Sequence, residues 1–212
     1  MKHTPGLVLE KTFWKQGLFV VAGVDEAGRG AWAGPVMAGA VILPNDPTIS
    51  DRLDGVRDSK QMTALERERM AVVIQEQSVC WAVAEASNVE IDQLGILRAT
   101  QLAMTRALEQ LNPAPQSLLV DFVRLREVAL PQQCPAHGDN LSLSIAAASV
   151  LAKVTRDRWM CEQAEKNFPQ YGFFRHKGYG TKVHAEALEC FGCCDLHRKS
   201  FRPIAREMRL FD

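Results

Sequence analysis

An α/β fold in a single domain is predicted by three features of the sequence. Short apolar runs bounded by glycine and proline alternate with amphipathic stretches that open on capping residues, the pattern of buried strands covered by helices. The 212 residues suffice for one sizeable core. No repeat, low-complexity tract or linker divides them.

LFVVAGVD (18–25) and PVMAGAVIL (35–43) read as the first two buried strands. A polar, turn-rich segment, 45–60, follows. Thr63 and Glu66 form a capping box that predicts a helix to about Gln77. SVCWAVAEA (78–86) reads as the third strand. Ser87 and Glu90 repeat the box ahead of IDQLGILRATQLAMTRALEQL, where Leu94, Leu97, Met104, Leu108 and Leu111 are expected on one helical face. NPAP (112–115) ends that helix, and SLLVDFV (117–123) is the fourth strand. Beyond a proline-bearing loop, a long helix is predicted from about Leu141 to Asn167, stopped by Pro169, with small residues in IAAASVLAK for close packing. A shorter helix, roughly 182–190, ends at Gly192.

Composition bounds the function. A formal net charge of zero argues against a protein that grips polyanions over its whole surface. The distribution is uneven, however: residues 151–212 carry 12 Lys/Arg against 8 Asp/Glu, and residues 1–150 carry 13 against 17. Acids early and cations late suit a metal-using site beside an anion-binding flank, as they also suit an ordinary solvated surface. No apolar run approaches a membrane span, and MKHTPGLVLEK lacks the apolar core of a secretory leader. The six cysteines follow no disulfide-framework spacing, so reduced thiols and a cytoplasmic location are expected.

Four acids stand out by position. Asp25 and Glu26 end the first strand, Asp121 interrupts LLVDFV, and Asp139 lies just before the long helix. Functional groups of open α/β sheets gather at strand ends. An acid buried in a strand is costly unless it binds a cation or is hydrogen-bonded. Successive strand residues point to opposite faces, so a shared site for Asp25 and Glu26 is expected to require a break in the pleat at Ala27-Gly28. Clustered carboxylates without a matching His/Cys set favour Mg²⁺ or Mn²⁺, and such ions in pairs promote phosphodiester cleavage. A structural role fits the pattern equally well, with Asp139 capping the helix and Asp121 in a buried ion pair.

Gly28 and Gly30 flank Arg29, which suits either a tight turn or a main chain that approaches a sugar closely, with the arginine free to meet a phosphate. GFFRHKGYGTK (172–182) carries Arg175, Lys177 and Lys182, no acid, and Tyr179 between glycines. That combination suits phosphates and an aromatic contact with a sugar or base, or else a solvated loop with Phe173 and Phe174 in the core. Cys190, Cys193, Cys194 and His197 invite zinc, but no second ligand pair stands at suitable spacing, and buried or inert thiols are expected.

The ordered series of motifs resembles ribonuclease HII, the type 2 ribonuclease H family. It comprises GVDEAGRG with AGPVMAGAVIL, DSK (58–60), ILRATQLAM (96–104), VD (120–121), GD (138–139), SIAAASVLAKVTRDR (144–158), YGFFRHKGYGTKVH (171–184) and HRKSF (197–201). Together these span about residues 18 to 203. The resemblance implies a ribonuclease-H-like fold, a central mixed five-stranded sheet flanked by helices, with a helical C-terminal extension. It implies an endonuclease dependent on Mn²⁺ or Mg²⁺ that cuts the RNA strand of RNA–DNA hybrids. The same resemblance implies cutting at ribonucleotides embedded in duplex DNA, leaving 5′-phosphate and 3′-hydroxyl ends. Asp25, Glu26, Asp121 and Asp139 would be the catalytic metal ligands. Gly28, Arg29 and Gly30 would read the ribose, whose 2′-hydroxyl both donates and accepts. Tyr179 would stack at the RNA-to-DNA junction, and Lys60, Arg175, Lys177, Lys182, Arg198 and Lys199 would contact the substrate backbone. Arg29 stands where the related ribonuclease HIII carries lysine.

The departures from the family pattern are few. Ala31 and Trp32 stand where proline and leucine are usual, Gly95 where asparagine is common, and Phe122 where glycine usually follows the third acid. The terminal EMRLFD weakly resembles the short peptides by which bacterial replication proteins bind the sliding clamp, which suits either a weak clamp contact through EMRLF or an apolar Leu210-Phe211 pair that packs on its own domain. Two further readings stay open at this level. One is a DNA-directed nuclease or junction resolvase on the same fold. The other is a silent hybrid-binding protein, which would need a missing acid, and all four are present.

Overall fold

The structure, a computed structural model, describes residues 5–208. Strand β1 (Val21–Ala27) runs antiparallel to β2 (Val36–Ile42), and β2 antiparallel to β3 (Cys80–Ala86). On its other side β1 pairs in parallel with β4 (Ser117–Val120), and β4 with β5 (Gln132–Gln133). The result is one mixed sheet in the order β3-β2-β1-β4-β5. The four strands expected from apolar runs are present; β5, two glutamines long, carries no apolar signal that could reveal it.

The helices are α1 (Val8–Trp14), α2 (Ile49–Arg52), α3 (Ala64–Gln77), α4 (Asn88–Leu94), α5 (Ile96–Glu109), α6 (Leu143–Trp159), α7 (Glu165–Asn167), α8 (Phe173–His176), α9 (Lys182–Phe191) and α10 (Arg202–Met208). Both predicted capping boxes form. Thr63 Oγ1 accepts from the Glu66 N–H at 3.2 Å while Glu66 accepts from the Thr63 N–H at 2.7 Å, and Ser87 with Glu90 repeats this at 3.2 and 2.8 Å.

Helix α6 lies across one face of the sheet, main chain against main chain. A Cβ at Gly23 would fall 2.2 Å from the Ser144 backbone, and one at Gly39 would fall 2.4 Å from the Ala148 carbonyl. Extra methyls in so tight a layer typically cost about 1–3 kcal/mol. On the opposite face Ala99, Ala103, Met104 and Ala107 of α5 pack on Ala22, Val24, Ala38 and Ala40. A third cluster, including Tyr171, Phe173, Leu188 and Ile204, seats the C-terminal helices against Ala33, close behind the glycine turn.

Several expectations are corrected. The helix expected across 88–111 is two helices, because Gly95 breaks it at φ 78°. Leu94 and Leu97 are consequently exposed, while Met104, Leu108 and Leu111 are buried. The fourth strand stops at Val120, because Phe122 turns the chain with a φ of 57°, so Asp121 follows the strand instead of interrupting it. Helix α6 is capped by Ser142, whose Oγ accepts from the Ile145 N–H at 3.1 Å, and not by Asp139. It continues through a π-helical turn, Met160–Ala164, into α7. No break in the pleat precedes Gly28, since β1 stays in register with β2 as far as Ala27 opposite Met37. Helix α1 is too short for periodicity to reveal. Its buried Glu10 accepts from Ser142 Oγ (2.6 Å), Ser144 Oγ (2.7 Å) and the Ser144 N–H (3.0 Å), pinning α1 to the start of α6. The clamp peptide expected at the C-terminus lies largely outside the described residues.

Candidate active site

The acids meet at one end of the sheet because two neighbouring parallel strands, the central β1 and β4, finish there. Val24 of β1 pairs with Val120, the last residue of β4, so Asp25 in β1 and Asp121 just past β4 come next on neighbouring chain segments, about 5 Å apart in main-chain spacing. The Asp121 N–H donates to the Val24 carbonyl at 3.0 Å. Asp121 Oδ1 in turn accepts from the Gly138 N–H at 2.7 Å, which draws Asp139 in beside it. Asp25 faces α6, where Ser149 hydrogen-bonds its carboxylate, and it also accepts from the Glu26 N–H at 2.7 Å. Glu26 leaves the opposite side of the pleat yet shares the electrostatic field of Asp121, because the site lies at the ends of the strands, not on one face. That position does what the expected break was invoked to do.

The electrostatics are those of crowded anions. Burial first, then the charges of Glu26 and Asp121, push the Asp25 carboxyl well above the ordinary range. Burial also raises Glu26, against the pull of Arg29, whose Nη1 lies 3.3 Å from Glu26 Oε1. Asp139 is raised to about 6 by burial and by Asp58 and Asp121. Lys60 stands among them: although desolvation works to lower it, Asp58, Asp25, Asp139 and Asp121 together hold it above the usual lysine value. Asp58, which positional reasoning overlooked, also accepts from the Lys60 N–H at 2.9 Å.

Among the described residues no three His, Cys, Asp or Glu side chains are gathered closely enough to hold a metal ion as they stand. The fit to a hard cation is nevertheless good. Glu26 Oε2 is buried without a hydrogen-bond partner, the donor set is all oxygen, and burial, then repulsion from neighbouring acids, raises the proton affinity of Asp25 and Asp139, a repulsion that a cation would relieve.

The glycine turn is braced from beneath by two buried arginines. A Cβ at Gly28 (φ 94°) would fall 1.9 Å from Arg156 Nε, whereas Gly30 has open space around it. Arg156 donates to the carbonyls of Pro35 (2.9 Å), Lys177 (3.0 Å) and Ala33 (3.1 Å). Arg198 donates to those of Gly34 (2.9 Å), Arg29 (2.9 Å) and Pro35 (3.0 Å). The phosphate contact expected of Arg198 is therefore corrected: its side chain is fully buried and spent on main-chain carbonyls. Burial, then repulsion from Arg156, lowers Arg198 to about 9.

Tyr179 is flanked by cations, with Lys153 Nζ 5.2 Å and Arg156 Cζ 5.3 Å from its ring centroid. Arg175 lies over the Phe174 ring, Lys177 Nζ bonds the Phe174 carbonyl, and Lys182 pairs with Glu186 at 3.7 Å. Lys199 is exposed, its N–H donating to Asp92 Oδ2 at 2.9 Å. His184 Nδ1 donates to the Tyr179 carbonyl (3.0 Å), leaving Nε2 to accept from His197 Nε2 (3.0 Å), while His197 Nδ1 accepts from the Cys194 N–H (2.9 Å). Both nitrogens of His197 are thus committed to hydrogen bonds within the protein, and burial lifts the Cys194 thiol to about 11.

The sheet order, with α6 across one face, defines the class as ribonuclease-H-like. A model of the ribonuclease HII family matches residues 22–204. A ribonuclease HII of Anaeromyxobacter sp. is 52% identical over 201 residues, covering 95% of this chain and 62% of that protein. The Chloroflexus aggregans ribonuclease HII is 47% identical over 99% of both chains. The solved complex of PCNA with RNase HII from Archaeoglobus fulgidus superposes with a TM-score of 0.73 at 25% identity, over 86% of this chain and 95% of that one. The chain belongs to the ribonuclease HII family, endoribonucleases that hydrolyse RNA in RNA–DNA hybrids.

Proposed function

We propose that this protein cuts the RNA strand of RNA–DNA hybrids and also cleaves beside single ribonucleotides embedded in duplex DNA, leaving 5′-phosphate and 3′-hydroxyl ends. The observation that carries the site assignment is the juxtaposition of Asp25 and Asp121 at the ends of paired parallel strands, with Glu26, Asp139 and Lys60 in the same field. Asp25, Glu26, Asp121 and Asp139 hold divalent metal, Mg²⁺ or Mn²⁺. When bound, the metal supplies charge neutralisation at the scissile phosphate and an activated water for in-line attack.

The chain's own residues do the reading and positioning. The main chain of Gly28–Gly30 approaches the ribose and bonds its 2′-hydroxyl, which marks identity and is not the nucleophile. Arg156 and Arg198 fix that turn, and Arg29 meets a phosphate. Tyr179 packs at the RNA-to-DNA junction, with Lys60, Arg175, Lys177, Lys182 and Lys199 toward the backbone phosphates. A partner of the sliding-clamp class, suggested by the PCNA complex of the Archaeoglobus relative, would be met through EMRLF. Among the described residues no helix is long and apolar enough to cross a membrane.

The test is cleavage mapping on a duplex with one ribonucleotide, beside an all-DNA control, with Mg²⁺, Mn²⁺ or a chelator. One cut beside the ribonucleotide, dependent on metal and absent from the control, is expected. Cutting of the all-DNA duplex, or none at the ribonucleotide while a uniform hybrid is cleaved, refutes the reading.

A further inference from the structure

Among the described residues three non-glycine positions adopt left-handed backbone: Phe122 (φ 57°), His137 (φ 55°) and Lys177 (φ 52°). Each flanks a proposed functional residue: Phe122 follows Asp121, His137 stands two before Asp139, and Lys177 stands two before Tyr179. Bulky side chains resist this conformation, which persists only where the surroundings over-determine it. At Phe122 they do. Val120 and Val123 are buried on either side, the Phe122 N–H donates to the Pro135 carbonyl at 3.1 Å, and Asp121 is held by the Gly138 N–H at 2.7 Å. Glycine would take this φ freely. The chain instead places a bulky ring on a backbone conformation that favours glycine.

The ring gains no matching burial within the protein. At 67% exposure Phe122 is the most exposed aromatic side chain among the described residues. A single exposed ring needs no explanation by itself, but one held on strained backbone beside the acids makes sense when the ring has something to meet on the ligand. An apolar ring gains nothing from phosphates, and the bases of an intact duplex are stacked inward. The sugar faces at the groove edge remain.

We propose that Phe122 is a substrate-contacting residue whose ring packs on the sugar edge of the bound hybrid beside the carboxylates. The inference rests on the carboxylate site proposed above.

The experiment measures binding of a fluorescein-labelled uniform RNA–DNA hybrid by anisotropy with metal chelated, alongside thermal unfolding and steady-state cleavage in Mn²⁺. Relief of strain in Phe122→Gly is expected to raise the melting temperature by about 2–4 °C, so that weakened binding cannot be misfolding. Its affinity is expected to fall about fivefold or more, with the loss of kcat/KM carried by KM. Phe122→Leu, which keeps the bulk and the strain, is expected to unfold like the wild type and bind about two- to threefold more weakly than it. Wild-type affinity in Phe122→Gly overturns the proposal. So does a fall in kcat with KM and affinity unchanged, which would make Phe122 a holder of Asp121. Because binding is read without metal, a wrong assignment of the acids leaves this comparison intact, and a wrong assignment of Phe122 leaves their response to metal intact.

Discussion

Held near Asp58, Asp121 and Lys60, the buried Asp139 carboxyl is raised to about 6, first by its burial and then by the neighbouring acids. In the unfolded chain it titrates near 3.8, so between these values the folded protein binds a proton that the unfolded chain does not. Stability is therefore fullest below the lower value and is lost as pH rises through the higher one, by about 3 kcal/mol at most. In metal-free protein Asp139→Asn is expected to raise the melting temperature at pH 8. The gap from wild type should close as the pH falls toward 4. Thermal unfolding at both pH values checks this, and an equal gap at both would contradict it.

The glycine turn and the Tyr179 loop behave as one element because Arg156 serves both, touching Gly28 and bonding the carbonyls of Ala33, Pro35 and Lys177. Gly28→Ala would force a Cβ onto Arg156 at a φ of 94°, where Gly30→Ala meets open space. Melting temperatures are expected to fall by about 3 °C or more in Gly28→Ala and by about 1 °C or less in Gly30→Ala. Hybrid cleavage in Gly28→Ala is expected to drop about tenfold or more. Equal melting temperatures for the two variants would show that Arg156 yields. These arginines also mark where sequence reading stops. The apolar runs, capping boxes and prolines locate elements because those signals are local. The role of Arg198 depends on carbonyls some 164 residues away in the chain, Gly34 among them, so its charge reads from sequence as a phosphate contact. Gly95 was visible as a weak helix former, but nothing local said that it takes φ 78° and divides the helix.

At the scale of the whole molecule, Asp25, Glu26, Asp121 and Asp139 lie around the end of the sheet where β1 and β4 finish, and the cation-rich C-terminal segment packs behind the glycine turn. Asp25, Glu26 and Asp121 stand out in the sequence because an acid in or at the end of an apolar run needs a reason, whereas Asp139, in a polar loop, stands out only by its place just before the long helix. Lys60 and Asp58, on a polar turn, give no such signal apart from the family motif, and their place among the acids comes from how that turn folds near the ends of β1 and β4. If the four acids form a single cation pocket, Mn²⁺ relieves their repulsion, and that relief can be weighed without substrate. The decisive measurement is the Mn²⁺-induced rise in melting temperature at pH 8 for wild type and Asp121→Asn. A rise of about 3 °C or more in the wild type, at least halved in the variant, is expected. A rise of the same size in both would place Asp121 outside the pocket and contradict the site.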